Sequence, residues 1–169
     1  MKYFSYGMNT NLGSMAVRCP KARSLGAAVL PHYGFEFKSF ATVTPKMDDK
    51  VHGVLWEITP ECEKSLDRLE GYPLYYGKIN VWVEYEGEMV PCMTYLMYPE
   101  EELGYPSDNY VRMLEEGYTS HGISTDQINW ALVRLDDYYG NYRLTNDEND
   151  STIMTSWGSH FNKGAVREY

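Results

Sequence analysis

The sequence predicts an α+β fold: an α+β or β-barrel core with helices at its periphery. Strand-like patterns dominate roughly the first hundred residues and helical patterns roughly the last seventy. That order disfavours a doubly wound sheet, in which strands and helices alternate. No glycine-rich phosphate loop of the dinucleotide or P-loop kind occurs. At 169 residues the chain is long enough for one domain. A domain of that size buries roughly 70% of its unfolded surface and needs no disulfide or metal staple.

Each element has a local reason. Residues 2–6 read as a short strand closed by Gly7. Leu12, Met15 and Ala16 stand at helical spacing, so a short helix ends at Pro20. Arg18, Lys21 and Arg23 gather around Cys19 and Pro20. Residues 25–30 and 34–43 read as strands, with a turn from Pro31 to Gly34. In the second, Phe35, Phe37 and Ser39 alternate against Glu36, Lys38 and Phe40. Val54, Leu55, Trp56 and Ile58 make 51–58 a mostly buried strand.

Thr59 can cap the next helix, Pro60 suits its first position, and Glu61 suits its positive end. Cys62, Leu66 and Leu69 share one face. Gly71 supplies a left-handed end and Pro73 prevents resumption, which leaves Glu70 at the helix terminus. Residues 77–85 and 88–98 form an expected hairpin around Glu86-Gly87. Residues 99–106 are an acidic loop. Ser107 caps a helix bearing Tyr110, Val111, Leu114 and Tyr118 at the 3.6-residue period. A last helix over 125–139 carries Ile128, Ala131, Leu132 and Leu135 on one face. The domain is expected to span 1–140. The tail 141–169 either packs on it, through Trp157 and Phe161, or is partly flexible.

Composition narrows the function classes. The net charge is −9. Nucleic acid and anionic membrane both require a basic face, so neither is an expected partner. A local positive pocket can still take an anionic substrate. Cys19, Cys62 and Cys92 are scattered, odd in number and never paired as Cys-x-x-Cys. Reduced, buried thiols in a cytoplasmic protein are expected, not zinc or redox chemistry. His32, His52, His121 and His160 are too dispersed to share a metal. No metal and no cofactor is therefore expected. No apolar run approaches a membrane span, and no basic-then-apolar leader precedes the first strand. The 16 tyrosines suit a polar-ligand pocket or a β-rich surface equally. Oligomeric state is not fixed, and a homodimer stays open.

Two segments carry the chemistry. Tyr3-Phe4-Ser5-Tyr6-Gly7-Met8-Asn9 runs a strand into a glycine turn. Backbone N–H groups in such a turn suit an anion. Ser65 to Pro73 ends a helix on Glu70. A carboxylate there opposes the helix dipole, and Asp67 adds like charge that Arg68 offsets. The segment can also hold this glutamate in a walled, partly dry place, so the acid is a candidate general base with a raised pKa.

Together these segments resemble the γ-glutamylcyclotransferase-like family. Tyr3 to Asn9 is similar to its substrate-carboxylate loop. Gly53 to Trp56 is similar to its GxxW strand, and Leu66-Asp67 to Glu70-Gly71 to its LDxxEG segment. Tyr76 is similar to the tyrosine after the catalytic glutamate, and Pro106-Ser107 to Tyr110 to a PSxxY helix start. The resemblance covers roughly residues 3–135. It implies a small mixed β-barrel core flanked by helices. It implies Glu70 as general acid/base and the backbone of Tyr6, Gly7, Met8 and Asn9 as the cradle of an α-carboxylate. It implies Tyr76 and Tyr110 as pocket walls. The family usually has serine where this chain has Met8.

The implied reaction closes a γ-glutamyl group to 5-oxoproline and releases an amine or amino acid. One glutamate can move the protons without metal or cofactor. The alternative is a non-catalytic small-molecule-binding or regulatory protein on the same fold.

Overall fold

The structure is a computed structural model in which residues 1–146 are described, with side chains through residue 140. Met1–Leu135 forms one compact unit that holds all the predicted site residues. The tail assigned to 141–169, with Trp157 and Phe161, lies outside the described residues except for the helix backbone up to Asn146.

Five strands close a barrel: β1 (Lys2–Ser5), β2 (Arg23–Lys38), β3 (Phe40–Glu57), β4 (Tyr76–Tyr85) and β5 (Glu88–Met97). Their order around the barrel is β1-β3-β2-β4-β5. Neighbours run antiparallel except β1 and β5, which meet in parallel at Tyr3 and Met93 and close the ring. Helices α1 (Leu12–Arg18), α2 (Pro60–Glu70), α3 (Asp108–Ser120) and α4 (Asp126–Asn146) complete the fold. The expected α+β class with a small mixed barrel is the one observed. Phe4, Leu30, Val43, Val51 and Leu55 are fully buried strand side chains, joined by Leu66 of α2 and Leu114 of α3.

One expectation is corrected. The chain does not turn over Pro31 to Gly34. β2 passes through that stretch with a register shift between Pro31 and Tyr33, and His32 takes a positive φ of 63°. A bulge tolerates proline within a sheet. The reversal comes at Ser39, φ 64°, and splits the strand expected over 34–43. A remote loop holds it: Ser39 N–H donates to Gly104 O at 2.9 Å, and Gly104 N–H to Phe37 O at 3.1 Å. Local pattern carries no trace of that contact. The charged stretch from Lys46 to Lys50 is also strand, as part of β3. The Glu86-Gly87 turn stands as expected, both residues at positive φ (52° and 82°).

Two glycines allow the backbone approaches on which the site depends. A Cβ on Gly53 would lie 2.2 Å from Ser5 O and 2.7 Å from the Phe4 ring. Gly53 thus lets β3 lie against β1. A Cβ on Gly117 would lie 2.4 Å from Thr10 Oγ1 and 2.7 Å from Asn11 N. Gly117 lets α3 press on the turn after β1. Gly53→Ala should destabilise the fold by about 1–3 kcal/mol, because backbone cannot yield as a flexible side chain does. Urea unfolding measures this, and an unchanged midpoint would refute the close-approach argument.

Candidate active site

The turn after β1 begins with Gly7 and continues as a short 3₁₀ helix, Met8–Thr10. Thr10 N–H and Asn11 N–H bond back to Gly7 O and Met8 O at 2.9 and 3.1 Å. The N–H groups of Gly7, Met8 and Asn9 precede that pattern and stay outside the helix's own bonding. Such a first turn is a natural anion seat. Its position is over-determined. Trp56 Nε1 donates to Ser5 Oγ at 3.0 Å, and Ser5 Oγ donates to Asn9 O at 3.1 Å. Tyr118 OH donates to Tyr6 O at 2.7 Å. The spacing from Gly53 to Trp56 therefore has two uses on one strand: close approach at one end and an indole donor at the other.

Helix α2 presents Glu70. Thr59 Oγ1 accepts the Cys62 N–H at 3.3 Å, and Pro60 stands in the first turn. Gly71 ends the helix in the left-handed region, φ 62°, with its N–H returned to Arg68 O at 3.3 Å. Glu70 is the last helical residue, as expected.

Asn9 meets it across the barrel end. Asn9 Nδ2 lies 3.0 Å from Glu70 Oε1 and 3.0 Å from Tyr3 OH, so each amide hydrogen has an acceptor. Asn9 Oδ1 accepts from Arg18 Nη1 at 2.6 Å. Burial raises Glu70 from the ordinary 4.5 to about 7, against the pull of Arg18 and the Asn9 hydrogen bond. This corrects the local argument. Asp67 is not the perturbing charge. It forms an ion pair with Lys78 Nζ at 2.8 Å and accepts a hydrogen bond from the Tyr95 hydroxyl at 2.6 Å. The cation acting on Glu70 is Arg18, not Arg68.

Tyrosines surround the acid. Tyr3, Tyr6, Tyr76 and Tyr110 all feel its charge, and burial lifts each phenol above its ordinary range. All four keep their protons through neutral pH. Tyr6 OH donates to Tyr95 O at 2.5 Å. Tyr110 OH accepts from Ala41 N–H at 3.1 Å and also faces the Met8 backbone. A Cβ on Gly7 would lie 3.0 Å from that hydroxyl. Tyr110 thus sits at the mouth of the 6–9 turn.

The structure brings Tyr6, Gly7, Met8, Asn9, Glu70, Tyr76 and Tyr110 into one place. Sequence reasoning gave no role to Tyr3, Arg18 or Tyr95. Tyr3 stood inside the quoted strand, and Arg18 stood in a basic cluster that pointed to no particular neighbour. Cys92 is buried on β5, where burial pushes its thiol up to about 12, so it is core and not a nucleophile. All three cysteines are free and buried. Among the described residues no group of three or more His, Cys, Asp or Glu could hold a metal ion. No described helix is long and apolar enough to cross a membrane. An open cleft of about 660 Å³, lined by residues such as Asn11, Arg112 and Glu116, does not include Glu70.

A family model for gamma-glutamyl cyclotransferase, AIG2-like, matches residues 3–118. The chain belongs to that family. The chain is 28% identical over 153 residues to the gamma-glutamylcyclotransferase of Homo sapiens, covering 82% of this chain and 81% of that protein. The Mus musculus gamma-glutamylcyclotransferase is 29% identical over the same coverage. A solved gamma-glutamyl cyclotransferase superposes with a TM-score of 0.71 and 26% identity, covering 76% of this chain and 85% of that one. The family assignment made from Tyr3–Asn9, Gly53–Trp56 and Leu66–Gly71 holds. The span matched by the family model contains Asn9, Arg18, Glu70, Tyr76 and Tyr110.

The raised Glu70 has a stability signature. The folded state binds this proton more tightly than the unfolded chain does. Stability is therefore full below about pH 4.5 and falls as pH rises toward 7. Glu70→Gln removes that penalty. At pH 8 the variant should be more stable than the parent by on the order of 1–3 kcal/mol, with the gap closing near pH 4.5. Denaturant unfolding at both pH values checks this, and a gap independent of pH contradicts a buried, raised carboxyl.

Proposed function

We propose that this chain converts a γ-glutamyl compound to 5-oxoproline and an amine or amino acid, with Glu70 as the proton carrier. The observation that carries the proposal is the carboxyl held near pH 7 beside the 6–9 turn. A group poised at the working pH is efficient both as base and as acid.

The substrate's α-carboxylate sits against the N–H groups of Gly7, Met8 and Asn9, with the Tyr110 hydroxyl at the edge. Glu70 takes a proton from the α-ammonium. The freed amine nitrogen attacks the γ-carbonyl carbon and forms the new C–N bond of a five-membered ring. The carbonyl reforms as the old C–N bond breaks; protonated Glu70 gives its proton to the departing nitrogen, then accepts the second proton shed by the ring nitrogen and passes it on, so the amine leaves as its ammonium and the ring keeps one N–H. No net proton or electron is consumed. The reaction is intramolecular, so the site's main task is to hold a folded conformer of the substrate. Tyr76 and Tyr6, as protonated phenols, supply wall and hydrogen-bonding surface without competing for the proton. The mechanism requires no metal or cofactor.

Two measurements test this. Glu70→Gln should remain folded and lose kcat by about 10²–10⁴-fold, the usual worth of a general acid/base. The assay is 5-oxoproline release from a panel of γ-glutamyl amino acids, peptides and amines. Turnover at the parental rate would remove Glu70 from the mechanism, and no 5-oxoproline from any panel member would refute the activity. Separately, Gly7→Val should raise KM at least tenfold, because its side chain meets the Tyr110 hydroxyl and the Ala41 Cβ, 3.4 Å from an ideal Cβ at position 7. Met8→Ser should leave KM within about threefold, since a cradle of backbone N–H groups is indifferent to that side chain. Equal effects of the two substitutions would contradict backbone recognition.

A further inference from the structure

A primary amide offers an acceptor at one end and a donor at the other, and either end can face a given neighbour. Which end of Asn9 faces Glu70 decides whether the contact attracts or repels. Arginine resolves the choice because its guanidinium only donates. Arg18 Nη1 lies 2.6 Å from Asn9 Oδ1, so the amide oxygen faces α1. The NH₂ end is left to face Glu70 Oε1 and Tyr3 OH, each at 3.0 Å. With the amide reversed, two oxygens would oppose each other at the reacting carboxylate.

Arg18 is itself anchored. It is the last residue of α1, and its carbonyl accepts from Ser65 Oγ of α2 at 2.8 Å. Its backbone is thus tied to the helix that carries Glu70, and its side chain to the turn that faces Glu70. Among the described residues no carboxylate forms an ion pair with it. A half-buried guanidinium in a chain of net charge −9, unpaired with any carboxylate, is an unusual use of a cation.

We infer that Arg18 is a positioning residue: it sets the Asn9 amide donor-first toward Glu70 and places a positive charge beside this carboxyl. The inference rests on Glu70 being the proton carrier. The other ionisable groups facing Glu70 are Tyr3 of β1, Tyr6 after it, Tyr76 of β4, Tyr95 of β5 and Tyr110 of α3. Burial keeps all five neutral near pH 7, so Arg18 is the charge that opposes the effect of burial on the acid.

The test is a pH profile of kcat/KM alongside a direct titration of Glu70 by carbon-13 NMR of its carboxyl. In Arg18→Met both should shift upward by about one unit or more, since a nearby cation lowers a carboxyl by that order. The activity loss should be about tenfold at pH 6.5 and shrink above pH 8.5. Arg18→Lys keeps a charged, donor-only group and should bring the acid limb back to within about half a unit of the parent. If Arg18→Met does not fold, Arg18→Gln carries the test, because it keeps a donor but no charge and should show the same upward shift. A loss of equal size at every pH, with the Glu70 titration unmoved, would overturn the inference. That result leaves the proton-carrier reading intact, because only an active Glu70→Gln refutes that.

Discussion

The contact between Asn9 Nδ2 and Glu70 Oε1 joins residues 61 apart, and the rest of the architecture exists to keep it. One partner ends a helix and the other is the middle residue of a 3₁₀ turn. Neither position is set by its own element. Asn9 is held through Ser5 to Trp56, and through Tyr6 to Tyr118 on α3. Glu70 is held by a helix capped at Thr59 and stopped at Gly71. The glycines at 53 and 117 are the spatial condition for the first of these, since β1 and the turn after it fill the place a side chain would take.

The electrostatics follow from this geometry. A carboxyl pushed into a wall of phenols loses hydration and rises. The phenols lose hydration as well and rise further out of range, so they remain neutral donors and acceptors. A nearby acid, Asp67, is kept from interfering by its own partners, Lys78 and Tyr95. Two carboxylates three residues apart on one helix thus have separate lives. One is paired and structural. The other has no cation bonded to it among the described residues and is raised by burial.

Local chemistry made much of this legible in the sequence. The caps at Thr59 and Ser107, the stop at Gly71 and the Glu86-Gly87 hairpin turn are decided by one or two residues each, and all are where the sequence puts them. The hairpin reversal at Ser39 was not legible, because the loop near Gly104 holds it. The site was legible in its parts and not in its wiring. Glu70 stood out as a misplaced acid in an expected partly dry place, but the charges named beside it were the helix dipole and Asp67, not Arg18. Burial is a property of the assembled barrel, and no single window of sequence shows it. Arg18 was hidden for the same reason. Its meaning lies in which oxygen it reaches.

Barrel closure has a consequence of its own. β1 is four residues long and completes the ring through a single parallel pairing with β5. The tyrosine that follows it reaches the carbonyl of Tyr95, 89 residues away, and its own carbonyl is reached from Tyr118, 112 residues away. Contacts of such sequence separation are slow to form and come with the global topology. The candidate site therefore draws its groups from segments far apart in sequence. The candidate site is then complete only when the shortest strand lies between its two neighbours, β3 and β5.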